Sequence, residues 1–306
     1  MSQALPTVHR YTIDGCQFEA RPLAPGLYLI ATPIGNLRDV TIRALETLAA
    51  ADLICCEDTR VTSKLLTRYS IAKPLKPYHD HNAAKVRPGL IQLLRNGASI
   101  ALVSDAGTPL VSDPGYRLVV EAIDQAVHIE AIPGPSAPIV AAAVSGIPID
   151  RFLFAGFLPS KSRERQRMLE ELRLVPSALI AFDSAARIAE SIKDIEAVLG
   201  NRRIALAREL TKLHEEVIRG RVRDVTESLA ARQGLKGEIT IVIAPPEATK
   251  TVSAEDLEQA LQEALQKTSP AKAAALVARQ YGASRKELYA LAIRRKEMRR
   301  RDEGDE

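Results

Sequence analysis

The sequence predicts two α/β domains followed by a small C-terminal helical domain. Three observations predict this. From Leu27 onward, short apolar runs alternate with segments of helical periodicity. Most of those runs are four or five residues long and lack polar alternation, the pattern of strands covered on both faces. The stretch from Val252 to Arg295 has helical periodicity and no strand pattern. A chain of 306 residues accommodates two domains with a small third.

The first strand is Leu27–Ala31, running into Thr32-Pro33-Ile34-Gly35-Asn36, after which Ile42, Leu45, Leu48 and Ala49 recur at helical spacing. Leu53–Cys56 follows and leads to Glu57-Asp58-Thr59-Arg60. Ile100–Val103 opens into Ser104-Asp105-Ala106-Gly107-Thr108-Pro109, and His128–Ile132 precedes Pro133-Gly134-Pro135-Ser136-Ala137. Gly146–Asp150 reads as a linker. Alternation resumes with Phe152–Ala155, Leu179–Phe182, Ile204–Ala207 and Ile239–Ala244, closed by Pro245–Thr249. Beyond it, Ser269-Pro270 starts a helix, Gly282 ends it, and Ser284-Arg285-Lys286-Glu287 is a capping box opening the next. Helices joined so tightly fit a helix-turn-helix; a plain hairpin serving dimer contacts fits equally.

Hydrophobic residues at 46% and charged residues at 26% exclude a disordered chain. Aliphatic runs such as Ile139–Val144 are far short of the roughly 20 residues a membrane span needs, and the N-terminal segment has no apolar signal region. Cys16, Cys55 and Cys56 form neither a disulfide framework nor a zinc spacing, so a reducing, cytoplasmic setting is expected. The net charge of +4 is unevenly spread: Pro270–Arg301 carries ten Lys or Arg against Glu287 and Glu297. A basic patch on a neutral body is the footprint of a phosphate-backbone binder, although a solvated helix face gives the same composition. Lys161, Arg163, Arg165 and Arg167 add a second cationic run.

In wound α/β sheets, ligands sit at the carboxyl ends of the strands. Here those ends are rich in Gly, Pro, Asp and Ser, with no Walker or G-x-G-x-x-G phosphate motif. Arg38 and Arg60 face five acids, Asp39, Glu57, Asp58, Asp105 and Asp113. That polarity suits a ligand with hydroxyls and positive charge, such as an adenosine bearing a sulfonium, better than a pyrophosphate. Ser104–Gly115 is long for a βα turn. His79-Asp80-His81-Asn82, the single histidine cluster, reads as a polar loop rather than a metal site, and no metal is expected. No G-x-S-x-G elbow supports a serine hydrolase.

Leu29–Leu37, Ala51-Asp52-Leu53-Ile54, Glu57–Arg60, Ser104–Pro109, Asp113-Pro114-Gly115, Pro133–Ala137 and Gly156-Phe157-Leu158-Pro159 together resemble the tetrapyrrole methylase (class III methyltransferase) superfamily. His79–Asn82, Arg208-Glu209-Leu210-Thr211-Lys212 and Gly237-Glu238 are similar to its branch acting on small-subunit ribosomal RNA. The resemblance runs from about Leu27 to Ile293. It implies two α/β domains, at 27–147 and 148–246, with S-adenosylmethionine in the cleft between them. Charge and helical patterning mark 252–301 as a basic module, and residues 1–26 lie outside the resemblance as a flexible extension. The implied activity is 2′-O-methylation of a cytidine ribose in the decoding region of 16S ribosomal RNA, by a homodimer without membrane association, on naked RNA or the 30S subunit.

The implied cofactor contacts are Pro33, Ala106, Gly107, Thr108, Ser136, Ala137, Phe182, Asp183, Leu210 and Glu238. Phe182-Asp183-Ser184 departs from the Tyr-Glu-Ser often found in relatives, and Ala186 replaces a histidine. A ribose hydroxyl is a weak acid, so a nearby carboxylate or imidazole can act as base; Asp58, His81, Asp105 and Asp113 are the candidates. Arg60, Lys161, Arg163, Arg285, Lys286, Arg294 and Arg295 are the expected RNA contacts. Two other functions fit the same chain: a small-molecule methylase of the tetrapyrrole kind, and a non-catalytic nucleic-acid-binding protein.

Overall fold

The computed structural model describes residues 9–230, 232, 235–247, 254–281 and 283–302. It divides into one unit up to Pro246 and a second from Glu247. At the N-terminus, β1 (Arg10–Ile13) and β2 (Cys16–Glu19) form an antiparallel hairpin. This corrects the expectation of a flexible extension over the described part of that segment. Asp14 and Gly15 take φ of 45° and 86°, the conformation an Asp-Gly hairpin turn requires. Tyr11 is buried and stacks on Phe18 at 5.5 Å. The Thr12 N–H donates to the Tyr69 carbonyl at 2.8 Å, tying the hairpin to the body.

The first main sheet contains β3 (Gly26–Ile30), β4 (Leu53–Cys56), β5 (Leu75–Pro77), β6 (Ser99–Val103) and β7 (Ile129–Ile132). All pairings are parallel, in the order β5-β4-β6-β3-β7. Side chains alternate between two apolar layers. Ala101 and Val103 of β6 join the layer under α1 (Ile42–Ala50) and α2 (Thr59–Arg68). Ile100 and Leu102 join the layer under α3 (Ala83–Arg95) and α4 (Tyr116–Asp124). Cys55 and Cys56 are core residues, and burial pushes the Cys55 thiol up to about 12, making it inert.

Helix α5 (Ala137–Ser145) follows the first sheet but packs on the second. Its Ala141 and Ala142 lie among Ala178, Ile180, Ala205, Ala207 and Val242. Packing therefore changes over at Ala137 rather than at the Gly146–Asp150 linker. The second sheet has the order β11-β10-β12-β9-β8. Its members are β8 (Phe152–Phe157), β9 (Ala178–Ser184), β10 (Arg203–Arg208), β11 (Glu216–Arg221) and β12 (Glu238–Ile243). Only the β8–β9 pair is parallel. Its other face is covered by α6 (Ser162–Leu172), α7 (Ile188–Leu199) and α8 (Val222–Ala230).

The unit from Glu247 holds α9 (Ala254–Lys267), α10 (Pro270–Tyr281) and α11 (Arg285–Asp302). Leu261, Ala273, Ala274, Val277, Leu288 and Ala292 form its core. Ser284 accepts the Glu287 N–H at 3.4 Å at the start of α11, as the capping pattern predicts. Arg285, Lys286 and Arg294 are exposed; Gly282 and the Arg295 side chain lie outside the described residues.

Candidate active site

The loops at the carboxyl ends of β3, β6 and β7 are tied to one another. Thr32 and Gly107 exchange two backbone hydrogen bonds, at 2.9 and 3.0 Å. Thr32 Oγ1 donates to the Ser104 carbonyl at 3.1 Å, and Ser104 Oγ donates to the Gly107 carbonyl at 3.2 Å. Gly107 has φ of 83°, so a side chain there would strain the loop. Thr108 Oγ1 donates to the Pro135 carbonyl at 3.4 Å, joining the third loop.

The β3 loop then crosses to the second sheet. The Asn36 N–H donates to Thr211 Oγ1 at 3.1 Å. A Cβ on Gly35 would lie 2.5 Å from Lys212 Cγ and 2.9 Å from the Leu210 carbonyl oxygen, so only glycine permits this approach. The Glu209–Lys212 turn is itself unusual, with φ of 49° at Glu209 and 64° at Thr211. Between the two sheets lies a small, partly open cavity lined by Ile34, Ala137, Ala207, Glu209, Leu210, Lys212, Glu238 and Thr240.

Of the expected cofactor contacts, Ala137, Leu210 and Glu238 line this cavity directly. Pro33 and Ser136 are chain neighbours of lining residues, and Ala106, Gly107 and Thr108 form the loop bridged to Thr32. Phe182 packs edge-on against Phe154 at 5.0 Å, on the α5 side of β9. Asp183 is not brought to the cavity. Strand alternation turns it to the opposite face, where its buried Oδ1 accepts from Arg187 Nη2 at 2.7 Å. Glu209, Lys212, Ile34, Ala207 and Thr240 are lining residues absent from the sequence-derived set.

Three of the candidate bases, Asp58, Asp105 and Asp113, form an acidic group beside the β6 loop. The Asp58 N–H donates to Asp105 Oδ1 at 3.0 Å. Asp58 also caps α2 and pairs with Arg60 at 2.6 Å; the Arg60 hydrogen bonds hold its carboxyl down at about 2. Asp113 behaves oppositely. Burial, reinforced by the Glu57 and Asp105 charges, pushes it up to about 6, with a Ser104 hydrogen bond offsetting only part. Burial and the charges of Asp105 and Asp80 also raise Glu57, a member the sequence reading left out of its set. His81 is exposed, its ring 5.9 Å from that of His79. Among the described residues no His, Cys, Asp or Glu cluster could hold a metal ion.

Lys161, Arg163 and Arg60 are exposed. Arg165 is not: only 1% exposed, it is held by Asp194 at 2.5 Å and by the Pro159 carbonyl at 3.0 Å. This corrects its reading as an available cation, because helical spacing aligns it with buried Leu169 on the inner face of α6. No helix among the described residues is long and apolar enough to cross a membrane.

Residues 26–226 match the tetrapyrrole (corrin/porphyrin) methylases, and residues 251–296 match the RsmI C-terminal HTH domain. Two solved structures share the fold at low identity. A diphthine synthase has a TM-score of 0.56 at 15% identity, covering 71% of this chain and 89% of its own. A cobalt precorrin-4 methyltransferase has a TM-score of 0.54 at 17% identity, covering 71% and 94%. The match over residues 26–226 places the chain in the tetrapyrrole methylase family. The ribosomal RNA small subunit methyltransferase I of Mesorhizobium japonicum is 51% identical over 89% of this chain and 93% of its own length. The protein of that name from Haemophilus influenzae is 41% identical over 87% and 96%. The chain belongs to the ribosomal RNA small subunit methyltransferase I family.

Proposed function

We propose that the chain is an S-adenosylmethionine-dependent methyltransferase acting on the 2′-hydroxyl of a cytidine ribose in the decoding region of 16S ribosomal RNA. The observation that carries the cofactor part is the chemistry of the cavity wall, where two carboxylates, Glu209 and Glu238, are balanced by one ammonium, Lys212. A wall of net negative charge fits a sulfonium. S-adenosylmethionine supplies a methyl group on a positively charged sulfur. Glu238, Leu210 and Ala137 hold it from the walls, while the Thr32–Asn36, Ser104–Thr108 and Pro133–Ser136 loops offer backbone amides and carbonyls. These tied loops fix the line of approach for the attacking oxygen, which supplies much of the acceleration in such a transfer. Asp113 takes the hydroxyl proton, since a base with a value near neutrality is matched to that task.

The names of the relatives support ribosomal RNA as substrate, with the naked RNA and the assembled 30S subunit both open to it. Arg60, Lys161, Arg163, Arg285, Lys286, Arg294 and Arg295 are placed in this reading against phosphates. The same reading has the enzyme work in the cytoplasm as a homodimer. Exposed Tyr116, Val120 and Ile123, along one side of α4, provide an apolar face for a second copy. The test is mass spectrometry of 16S RNA from a strain lacking the gene, before and after treatment of its 30S subunits with protein and S-adenosylmethionine. A methyl restored to one cytidine ribose, with resistance to alkaline cleavage there, is expected. A methyl on a base, or transfer only to a tetrapyrrole, overturns the assignment.

A further inference from the structure

Lys212 stands between two carboxylates of the cavity wall. Its Nζ lies 2.9 Å from Glu209 Oε1 and 2.9 Å from Glu238 Oε2, and it lines the cavity with both. Glu209 is held in turn by the Glu238 N–H at 3.0 Å. A Cβ on Gly237, whose φ is 103°, would fall 2.5 Å from the Glu209 carboxylate, so this arrangement leaves no room for another residue there. From the other side, the Lys212 stem lies over Gly35 of the β3 loop. Two glycines far apart in sequence therefore make space for one Glu-Lys-Glu group.

Glu209 and Lys212 are both held in their charged forms. The Glu238 N–H, with Lys212 close behind, holds Glu209 below the usual carboxylate range. Burial works against the Lys212 ammonium, but its bonds to Glu209 and Glu238 outweigh it and keep the lysine above its usual range. By composition the group sets two carboxylates against one ammonium. The Glu238 side chain is 84% exposed and meets the Lys212 ammonium at 2.9 Å.

We infer that Lys212, lining the cavity itself, sets the net charge of its acidic wall, and thereby how strongly the site prefers a sulfonium ligand over its neutral thioether product. This rests on the cofactor reading proposed above. Methyl transfer converts a ligand with a charged sulfur into one without, and the rest of the molecule is unchanged. A wall of net charge −1 favours the charged form. Removing the ammonium makes the wall more negative and widens the preference; removing a carboxylate narrows it.

The test is calorimetric binding of S-adenosylmethionine and S-adenosylhomocysteine to the full-length chain, with thermal melting alongside. Lys212→Met keeps the stem that packs over Gly35. It should raise the ratio of the two affinities by on the order of tenfold, as expected for one unit charge at an intermediate dielectric. Glu238→Gln, at an exposed position, should lower the ratio, and Lys212→Arg should hold it near the wild-type value. A Lys212→Met protein whose two affinities and melting temperature fall together, at an unchanged ratio, overturns the inference and leaves the cofactor reading standing. Wild-type protein that binds neither ligand overturns both.

Discussion

The backbone N–H of Asp58 donates to the Asp105 carboxylate at 3.0 Å, across the carboxyl ends of the neighbouring strands β4 and β6. This bond sorts the acids of the candidate site. Asp58 is committed to capping α2 and to Arg60, and Asp105 is committed to the Asp58 amide. Asp113, pushed up to about 6, is the acid poised to exchange a proton at physiological pH. With Asp113 as base, kcat/KM should rise with pH through about 6 and then level. Asp113→Asn should lose roughly 10² to 10⁴ in kcat, the range a positioned base contributes. A profile of the same shape in the Asn variant would remove Asp113 from the role.

The same carboxyl makes a stability prediction of fixed sign. Its value is raised from 3.8 to about 6 on folding, so the native state holds the proton more tightly. That stabilisation is complete below about 3.8 and is lost as pH rises through about 6. At pH above 7 the folded protein carries a partly buried charge beside Glu57 and Asp105. Asp113→Asn should therefore raise the melting temperature there by about 2 to 4 °C, the effect of ~1 kcal/mol in a domain of this size. The gain should shrink at pH values near 4.5. A variant less stable than wild type at high pH would contradict the assigned direction.

A third prediction concerns the buried pair of Arg165 and Asp194. Asp194 also accepts from Ser162 at 2.9 Å and Gln166 at 2.6 Å, and Arg165 holds the Pro159 carbonyl just before α6. Removing one partner strands a charge in the interior. Arg165→Met should cost about 3 to 5 kcal/mol, measured as a lower denaturant midpoint at constant slope. Arg165→Met with Asp194→Leu should recover most of that loss. Equal losses in the single and double variants would show that lost hydrogen bonds, not a lone charge, dominate.

The strands of the first sheet were legible because Leu27–Ile30 and Ile100–Val103 are buried on both faces, which leaves an unbroken apolar run. The loops after them were legible because tight backbone approach needs Gly and Pro, as at Gly107 and Gly35. Strand β11 was not, since Glu216–Arg221 is an edge strand carrying three charged residues. The hairpin carried its own signal in Asp14-Gly15, outweighed by the polar composition around it. Lys212 and Glu209 went unread as cavity residues because their setting is made by a contact between segments 175 residues apart, at Asn36 and Thr211. Asp183 shows the complementary failure: a motif position specifies the strand, while the alternation of β9 decides which face the side chain meets.

The last prediction concerns the unit from Glu247, where the charge is most concentrated. Between Pro270 and Arg301 ten cations stand against two acids, and Arg285, Lys286 and Arg294 are exposed on α11. Each phosphate neutralised releases condensed counterions, so RNA affinity should fall with salt at a log–log slope of roughly 0.7 to 0.9 per contact. Replacing Arg285, Lys286, Arg294 and Arg295 with Gln preserves helix propensity and removes four charges. The variant should keep its S-adenosylmethionine affinity, bind RNA more weakly, and show a slope shallower by up to about 3. Filter binding across a salt series, with calorimetry for the cofactor, separates the two effects. An unchanged slope would mean that these cations face solvent in the complex. A loss of dimer in the same variant, seen by sedimentation, would assign the helices to self-association instead.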